Sequence, residues 1–216
     1  MALEREWPLF GLRVTTPRLT LSHPTDADLE VLNSVIDKGI HDPTWMPFDI
    51  PWTDEPPEIR PRNSLQHWWR LRANWQPGAW TLTMMVREGE TVVGVQDMFA
   101  REFGLSREVG TGSWLGRKFQ GRGIGKEMRA AILHLAFAGL GAERATSAAF
   151  EDNPASIAVS TALGYRENGD EIKLRRGVRS RSIRFVLDRS DWDQRRRGDI
   201  HSHGLEQCLA MFGSPT

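Results

Sequence analysis

The sequence predicts an α+β fold, and three observations carry that prediction. Two amphipathic stretches precede three strand-like stretches in direct succession, an order that strict βαβ winding does not give. A glycine-rich turn past the midpoint of the chain runs into a strongly amphipathic helix. The composition is globular: 216 residues, 39% in the AVILMFWYC set, and 28 Lys+Arg balancing 28 Asp+Glu. The zero net charge argues against a generally basic nucleic-acid binder. The longest nearly apolar run, Ala130 to Leu140, is broken by His134 and is too short to span a bilayer. No cationic segment followed by an apolar stretch opens the chain. Neither a nucleic acid nor a membrane is therefore expected as a partner. A single cysteine, Cys208, cannot form an internal disulfide, which fits a reducing, cytoplasmic setting.

The elements follow in order. Arg18 to Pro24 reads as a short strand, and Thr25-Asp-Ala-Asp28 is an N-cap signature before Leu29, Leu32 and Ile36 at helical spacing. Residues 41–62 hold six prolines (43, 47, 51, 56, 57 and 61), which exclude a regular helix there. Between them stand Trp45, Met46, Phe48, Ile50 and Trp52, so the segment reads as an irregular lid or pocket wall on the substrate side. Asn63 is a candidate cap for a second helix carrying Leu65, Trp68, Trp69, Leu71 and Trp75. Trp80, Leu82, Met84 and Val86 alternate as a strand, Glu88-Gly89 turns, and Thr91 to Met98 returns as a hairpin. Glu108 to Leu115 is a further strand, rich in glycine, as strands are where a backbone must be closely approached. Ile124, Met128, Ala131, Leu135 and Ala138 mark the amphipathic helix. Arg144 to Phe150 is a strand, Asn153-Pro154 opens a helix and Gly164 ends it.

Charge is balanced overall but not locally. Asp37, Asp42, Asp49, Asp54, Glu55 and Glu58 face only Lys38 and Arg60 between residues 37 and 61, whereas residues 173–197 are strongly basic. Either the two regions offset each other, within the molecule or across a dimer contact, or the acidic one receives a cationic substrate. His201-Ser-His203 lacks companions for a metal site, and no metal is expected. Arg195-Arg-Arg197 is diluted by Asp191, Asp193 and Asp199.

The chemistry concentrates in Gln120-Gly-Arg-Gly-Ile-Gly-Lys126. Glycines let successive N–H groups point one way with no Cβ in front of them, and the helix that follows adds its positive dipole end. Arg117, Lys118, Arg122 and Lys126 add charge, so a phosphate or pyrophosphate is the natural occupant. A P-loop is excluded because Glu127 follows Lys126. A dinucleotide fingerprint is excluded because its third glycine would fall at Lys126 or Met128.

Gln120-Gly-Arg-Gly-Ile-Gly125 does resemble the Gln/Arg-x-x-Gly-x-Gly/Ala signature of the GNAT superfamily of N-acetyltransferases. Asn153-Pro-Ala-Ser156 with Leu163-Gly-Tyr165, and Gly112-Ser-Trp-Leu115, resemble the Asn-x-x-Ser … Gly-Phe/Tyr and Gly-Tyr-Trp-Leu segments of its RimJ/RimL-type branch. The resemblance covers roughly residues 13–190, so residues 1–190 are read as one acyltransferase domain. Residues 191–216 are read as a tail docking on that domain or on a neighbouring subunit, in which case the chain is a homo-oligomer.

The resemblance implies a twisted, mixed sheet of six or seven strands with about four helices, its fourth and fifth strands splayed around acetyl-CoA or another short acyl-CoA, succinyl-CoA included. On that mapping Trp114, Leu115 and Gly116 line the pantetheine arm. Gln120, Gly121, Arg122, Gly123, Ile124, Gly125 and Lys126 hold the pyrophosphate, and Asn153 and Ser156 reach the pantetheine side. The reaction implied is direct acyl transfer from the thioester to a primary amine: a protein N-terminus, a lysine or a small amine, with the acidic loop favouring a cationic one. An N–H near Trp114 or Leu115 is the oxyanion candidate. Ser156 is the suggested proton donor, and Ser160 stands where many members carry a Tyr. The acid that branch members carry near the start of the fourth strand falls at Gly110, which leaves Glu108 and Asp97 as candidate bases. A succinyl donor calls for a cation at the acyl end, for which Arg70, Arg72 and Arg101 are candidates. The alternative is a module of the same fold that binds acyl-CoA without catalysis.

Overall fold

In the computed structural model, which describes residues 2–213, helix α1 (Ala2–Glu6) leads to β1 (Arg13–Thr15) and β2 (Leu19–Ser22), paired antiparallel. Helix α2 (Asp26–Asp37) begins where its cap signal lies. Thr25 Oγ1 accepts from the Asp28 N–H, and the Asp28 carboxylate accepts from the Thr25 N–H at 2.8 Å, a reciprocal capping box. Helix α3 (Arg60–Ala73) starts ahead of Asn63: Pro61 occupies its first turn, where no N–H is missed, and Asn63 donates to Glu55 at 2.9 Å instead of capping. Strands β3 (Ala79–Glu88) and β4 (Thr91–Arg101) form the expected hairpin, followed by the short α4 (Phe103–Ser106) and β5 (Glu108–Leu115). Helix α5 (Ile124–His134) continues as a π-helical turn over Leu135–Gly139. Strand β6 (Arg144–Phe150) and helix α6 (Pro154–Ala162) match their sequence signals, and Gly164 closes α6 at φ +91°. The hairpin β7 (Arg166–Arg175) and β8 (Val178–Asp188), then α7 (Arg189–Asp193) and β9 (His201–His203), complete the chain.

The strands make one mixed sheet in the order β7-β8-β6-β5-β4-β3-β2-β1-β9. Nine strands exceed the six or seven expected. The surplus lies at one edge, where the three-residue β1 and β9 pair with each other. Four helices, α2, α3, α5 and α6, are the substantial ones, and the other three span only four or five residues each.

Alternation along the strands sorts two cores. Leu82, Met84, Met98 and Val109 pack with Met128, Ile132 and Phe137 on the α5 face. Met85 and Val95 pack with Leu29, Leu32 and Trp68 on the α2/α3 face.

Residues 206–212 form a 3-10 helix that packs into the α5-face core. Phe212 meets Trp80 and Trp75 edge-on at 4.9 and 5.5 Å, while the two indoles donate to the carbonyls of Phe212 and Met211. The tail therefore packs on its own domain through residue 213; residues 214–216 lie outside the described residues. Phe212 is fully buried, so Phe212→Ala is expected to cost about 3–5 kcal/mol of folding stability in chemical denaturation.

Candidate active site

The sheet opens beside β5. Strands β5 and β6 pair in parallel only from Glu108↔Arg144 to Gly110↔Thr146. Two side-chain bonds, from Thr111 Oγ1 to the Thr146 carbonyl and from Thr146 Oγ1 to the Val109 carbonyl, close the joined end. From Gly112 to Leu115, β5 pairs with β4 alone, so its other edge offers unpaired backbone groups to the gap.

At the open end of that gap the glycine loop begins. Gln120 donates from Nε2 to the Leu115 carbonyl at 3.0 Å and to the Ile40 carbonyl at 2.8 Å, tying the loop to β5. Gly121 and Gly123 sit at φ +74° and +77°, in the left-handed region. No atom lies within 4 Å of a Cβ built on Gly121, and the first atom met from Gly123 is a guanidinium nitrogen of Arg18 at 3.6 Å. Helix α5 starts at the next residue, Ile124, with its unpaired N–H groups facing the same space. Lys118 and Lys126 enter no ion pair among the described residues, whereas Arg122 is held by Glu88 at 2.7 Å. A Cβ built on Gly125 would lie 3.7 Å from Leu115 and from Val159 of α6, so β5, the loop and both helices converge here.

Asn153 caps α6 by accepting from the Ser156 N–H at 3.1 Å; both residues are half-buried at the helix's first turn. Ser160 lies one turn deeper. It is fully buried, and its hydroxyl has no partner. Glu108 is not brought to these residues. It sits at the joined end of β5, half-buried and 3.9 Å from Arg144, about 13 Å along the strand from Gly112.

Four features escaped the sequence reading. Glu127 binds Thr16 and Arg18, and this pairing carries Arg18 to the glycine loop. Arg129 is buried on the α5 face, bridging the parting strands through Ser113 of β5 (3.2 Å) and Ser147 of β6 (3.0 Å). It makes no ion pair among the described residues, its Nε is unpartnered, and desolvation holds its pKa below the usual arginine range. Tyr165 is buried beside it with an unpartnered hydroxyl, and burial pushes its pKa up. The roles of Glu127 and Arg129 have no local motif, because their contacts form only when distant segments meet, and Tyr165, although part of the Leu163-Gly-Tyr165 segment, shows its place beside Arg129 only in the fold.

The fourth feature is an aromatic row on the other face. His41 and Phe48 (5.7 Å), Phe48 and Trp52 (5.4 Å), and Trp52 and Trp114 (6.4 Å) run from the proline-rich segment to β5. That segment is strapped to the β7–β8 hairpin. Lys173 pairs with Asp49, Arg176 holds Asp54 through two bonds and the Pro43 carbonyl at 3.0 Å, and Arg175 reaches the Met46 carbonyl. The acidic and basic regions thus offset each other within one chain, which removes much of the argument for a cationic acceptor. Trp75 and Trp80 belong to the tail contact rather than to this wall.

On this face also lies Asp97, directly opposite Thr83 of β3 and Gly112 of β5. Its Oδ1 is buried without a partner. Burial raises its pKa from 3.8 to about 6, against the opposing pulls of Thr83 and the Arg129 charge. Gly112 leaves open space where a side chain would stand. At Gly110 the Phe99 ring fills that space, so no acid can stand there. Arg72 is bound to Asp26 and the Pro24 carbonyl, Arg70 to the Gln66 carbonyl, and Arg101 is exposed at the end of β4, the end that pairs with Ala79 rather than with β5.

Residues 18–166 match the family model described as the acetyltransferase (GNAT) domain. Among solved structures, RimJ of Mycobacterium smegmatis in complex with CoA-disulfide is similar at 19% identity and a TM-score of 0.71, over 93% of this chain and 92% of that one. A putative ribosomal-protein-serine acetyltransferase from Vibrio cholerae is similar at 21% identity and 0.63, over 82% and 97%. The RimL ribosomal L7/L12 α-N-protein acetyltransferase in complex with coenzyme A follows at 17% and 0.64, over 80% and 95%. Among the described residues no helix is long and apolar enough to cross a membrane, and no three His, Cys, Asp or Glu are grouped to hold a metal ion.

Proposed function

Because the chain belongs to the GNAT acetyltransferase family and so is an acyl-CoA-dependent N-acetyltransferase, we propose that it acetylates a primary amine delivered along the aromatic row to the open stretch of β5, with Asp97 as its base. The observation that carries this reading is Asp97 itself: a carboxylate with one oxygen unpartnered, across from a glycine that leaves its front open. The acid that the branch carries on the fourth strand is absent at Gly110, and Asp97 offers one from the neighbouring strand, two residues further along, opposite Gly112.

The residues present fit a CoA donor: two left-handed glycines, a helix N-terminus and two cations without ion pairs, next to parted strands. When bound, the donor supplies an activated acyl group and a thiolate leaving group. The loop N–H groups, Lys118, Lys126 and Arg18 hold phosphate charge. The unpaired edge of β5 from Gly112 to Leu115 aims N–H groups at the gap, where one of them polarises a carbonyl. Ser156, at the mouth of α6, is placed to donate a hydrogen bond to sulfur; Ser160, deeper and closed in, supports the helix packing. Ionised at neutral pH, Asp97 accepts a proton from the incoming ammonium, directly or through one water. The phenyl and indole rings of the row suit an extended substrate with an apolar shaft, such as a protein N-terminus.

A second donor, succinyl-CoA, has one observation behind it: Arg129, a buried cation without a carboxylate, bonded to the β5 serine beside Trp114. The single cysteine, buried and with its thiol pKa raised by burial to about 11, fits work in a reducing compartment such as the cytoplasm. The test is CoA release from acetyl-CoA and succinyl-CoA with N-terminal peptides, lysine peptides and small polyamines. Turnover with acetyl-CoA and a peptide N-terminus is expected, and CoA binding without turnover on any amine would sink the reading. If succinyl-CoA is used, Arg129→Met should lower its kcat/KM at least about tenfold relative to acetyl-CoA.

A further inference from the structure

Two motifs left unused by the acyl-transfer site, Arg195-Arg-Arg197 and His201-Ser-His203, come together in the folded chain. Arg196, Arg197 and the whole of the second motif line a groove of about 530 Å³ with His134 and the π-helical turn that ends at Gly139. It lies at the far end of α5 from the glycine loop, about 16 Å along the helix. A π turn forfeits regular helical bonding and recurs at functional sites; here Leu140 N–H reaches back to the Leu135 carbonyl.

The groove holds more polar demand than it satisfies. His134 Nδ1 and Ser202 Oγ are both buried with no hydrogen-bond partner, and such groups are rarely left unpaired. Arg196 lies over the Trp192 ring at 5.7 Å and makes no ion pair among the described residues, while Arg197 is committed to Asp199 through two bonds. Burial, then the charges of Arg196 and His201, hold the His134 pKa down. Basic side chains therefore converge on a space with no Asp or Glu among its lining residues, and the nearby Asp199 is already engaged by Arg197. A metal is disfavoured as the occupant, since the three histidines lining the groove are not grouped so as to hold a metal ion among the described residues. A long nucleic acid is disfavoured by Asp191, Asp193 and Asp199 alongside the arginines.

We infer that this groove binds a small phosphorylated molecule, its phosphate held by Arg196, His134 and Ser202. Phosphate suits donors that arrive from three elements: the oxyanion is tetrahedral and offers several acceptors, where a carboxylate offers two in one plane. The site is separate from the donor cradle, so it binds with that cradle filled.

The experiment titrates inorganic phosphate, then pyrophosphate, into full-length protein saturated with CoA, following the histidine ring signals by NMR and the heat by calorimetry. Shifts of the His134 and His201 rings are expected, with affinity falling at least about tenfold in Arg196→Glu. Arg196 is exposed, so that variant should keep its melting temperature and its acetyl-transfer rate. His134→Gln, a second variant, should weaken phosphate without moving CoA affinity. Phosphate leaving these rings unmoved, or binding both variants as it binds the parent, overturns the assignment.

Discussion

Replacing Gly123 by valine should abolish CoA binding, lowering affinity at least about 100-fold, with no measurable acetyl transfer. Gly123 sits at φ +77° as the cap of α5. A β-branched residue there costs roughly 1–3 kcal/mol in backbone strain, and relief of that strain would swing the loop N–H groups away from their shared direction. The added methyl groups also enter the space between the loop and Arg18, 3.6 Å from a Cβ. Calorimetric titration with CoA reads the loss, and circular dichroism with thermal melting checks that the fold survives. Gly123→Ala keeps the strain but adds less bulk, so it should fall between. CoA binding at parental affinity in the valine variant would mean that the pyrophosphate lies elsewhere.

That loop was readable from sequence because everything it needs is contiguous: glycines for left-handed backbone, a helix behind them and cations around them. The Thr25 capping box and the β3–β4 hairpin were readable for the same reason, each being closed within a few residues. What escaped reading depends on long separations. Arg18 reaches the loop through Glu127 and the Arg122 carbonyl, both more than 100 residues away. Arg129 looks like one more charged residue on a helix until Ser113 and Ser147 are seen on the strands beneath it. Asn63 carried a genuine capping preference, and Pro61 overrode it because proline fits the first turn better than it fits anything before it. The acidic segment left two readings open, a cationic substrate or the basic region of the same chain, and its partner is the chain's own hairpin at positions 173–176. Local charge does not reveal what it faces.

Changing Asp97 to asparagine should make the enzyme slower and the protein more stable at once. General-base assistance contributes about 10²–10⁴ in rate, so kcat should fall by about 100-fold or more while CoA affinity holds, because Asp97 lies on the α2/α3 face, away from the loop. The stability effect follows from its raised pKa of about 6 against 3.8 for an unburied aspartate. A carboxyl whose folded pKa is raised is penalised when ionised. The penalty is absent below about pH 4, grows as pH rises through about 6, and is complete above that. At 1.36 kcal/mol per pKa unit it amounts to about 2–3 kcal/mol at pH 8, and the amide removes it. Parental activity should climb as pH rises through about 6, and the variant should lack that limb. Other groups bearing on Asp97 do not confuse the assignment. Arg129 stays charged throughout. Arg72, which lines the small cavity containing Thr83, is held by Asp26. His23, bound to the Thr83 carbonyl, has its pKa lowered by burial to about 4 and is neutral across the range. A carboxylate kept at a cost to the fold, with one oxygen empty and an open approach, is what a base requires and what a structural residue does not. If the variant turned over at the parental rate with the parental pH profile, Asp97 would be neither base nor positioning residue, and the proton would have to leave through another group.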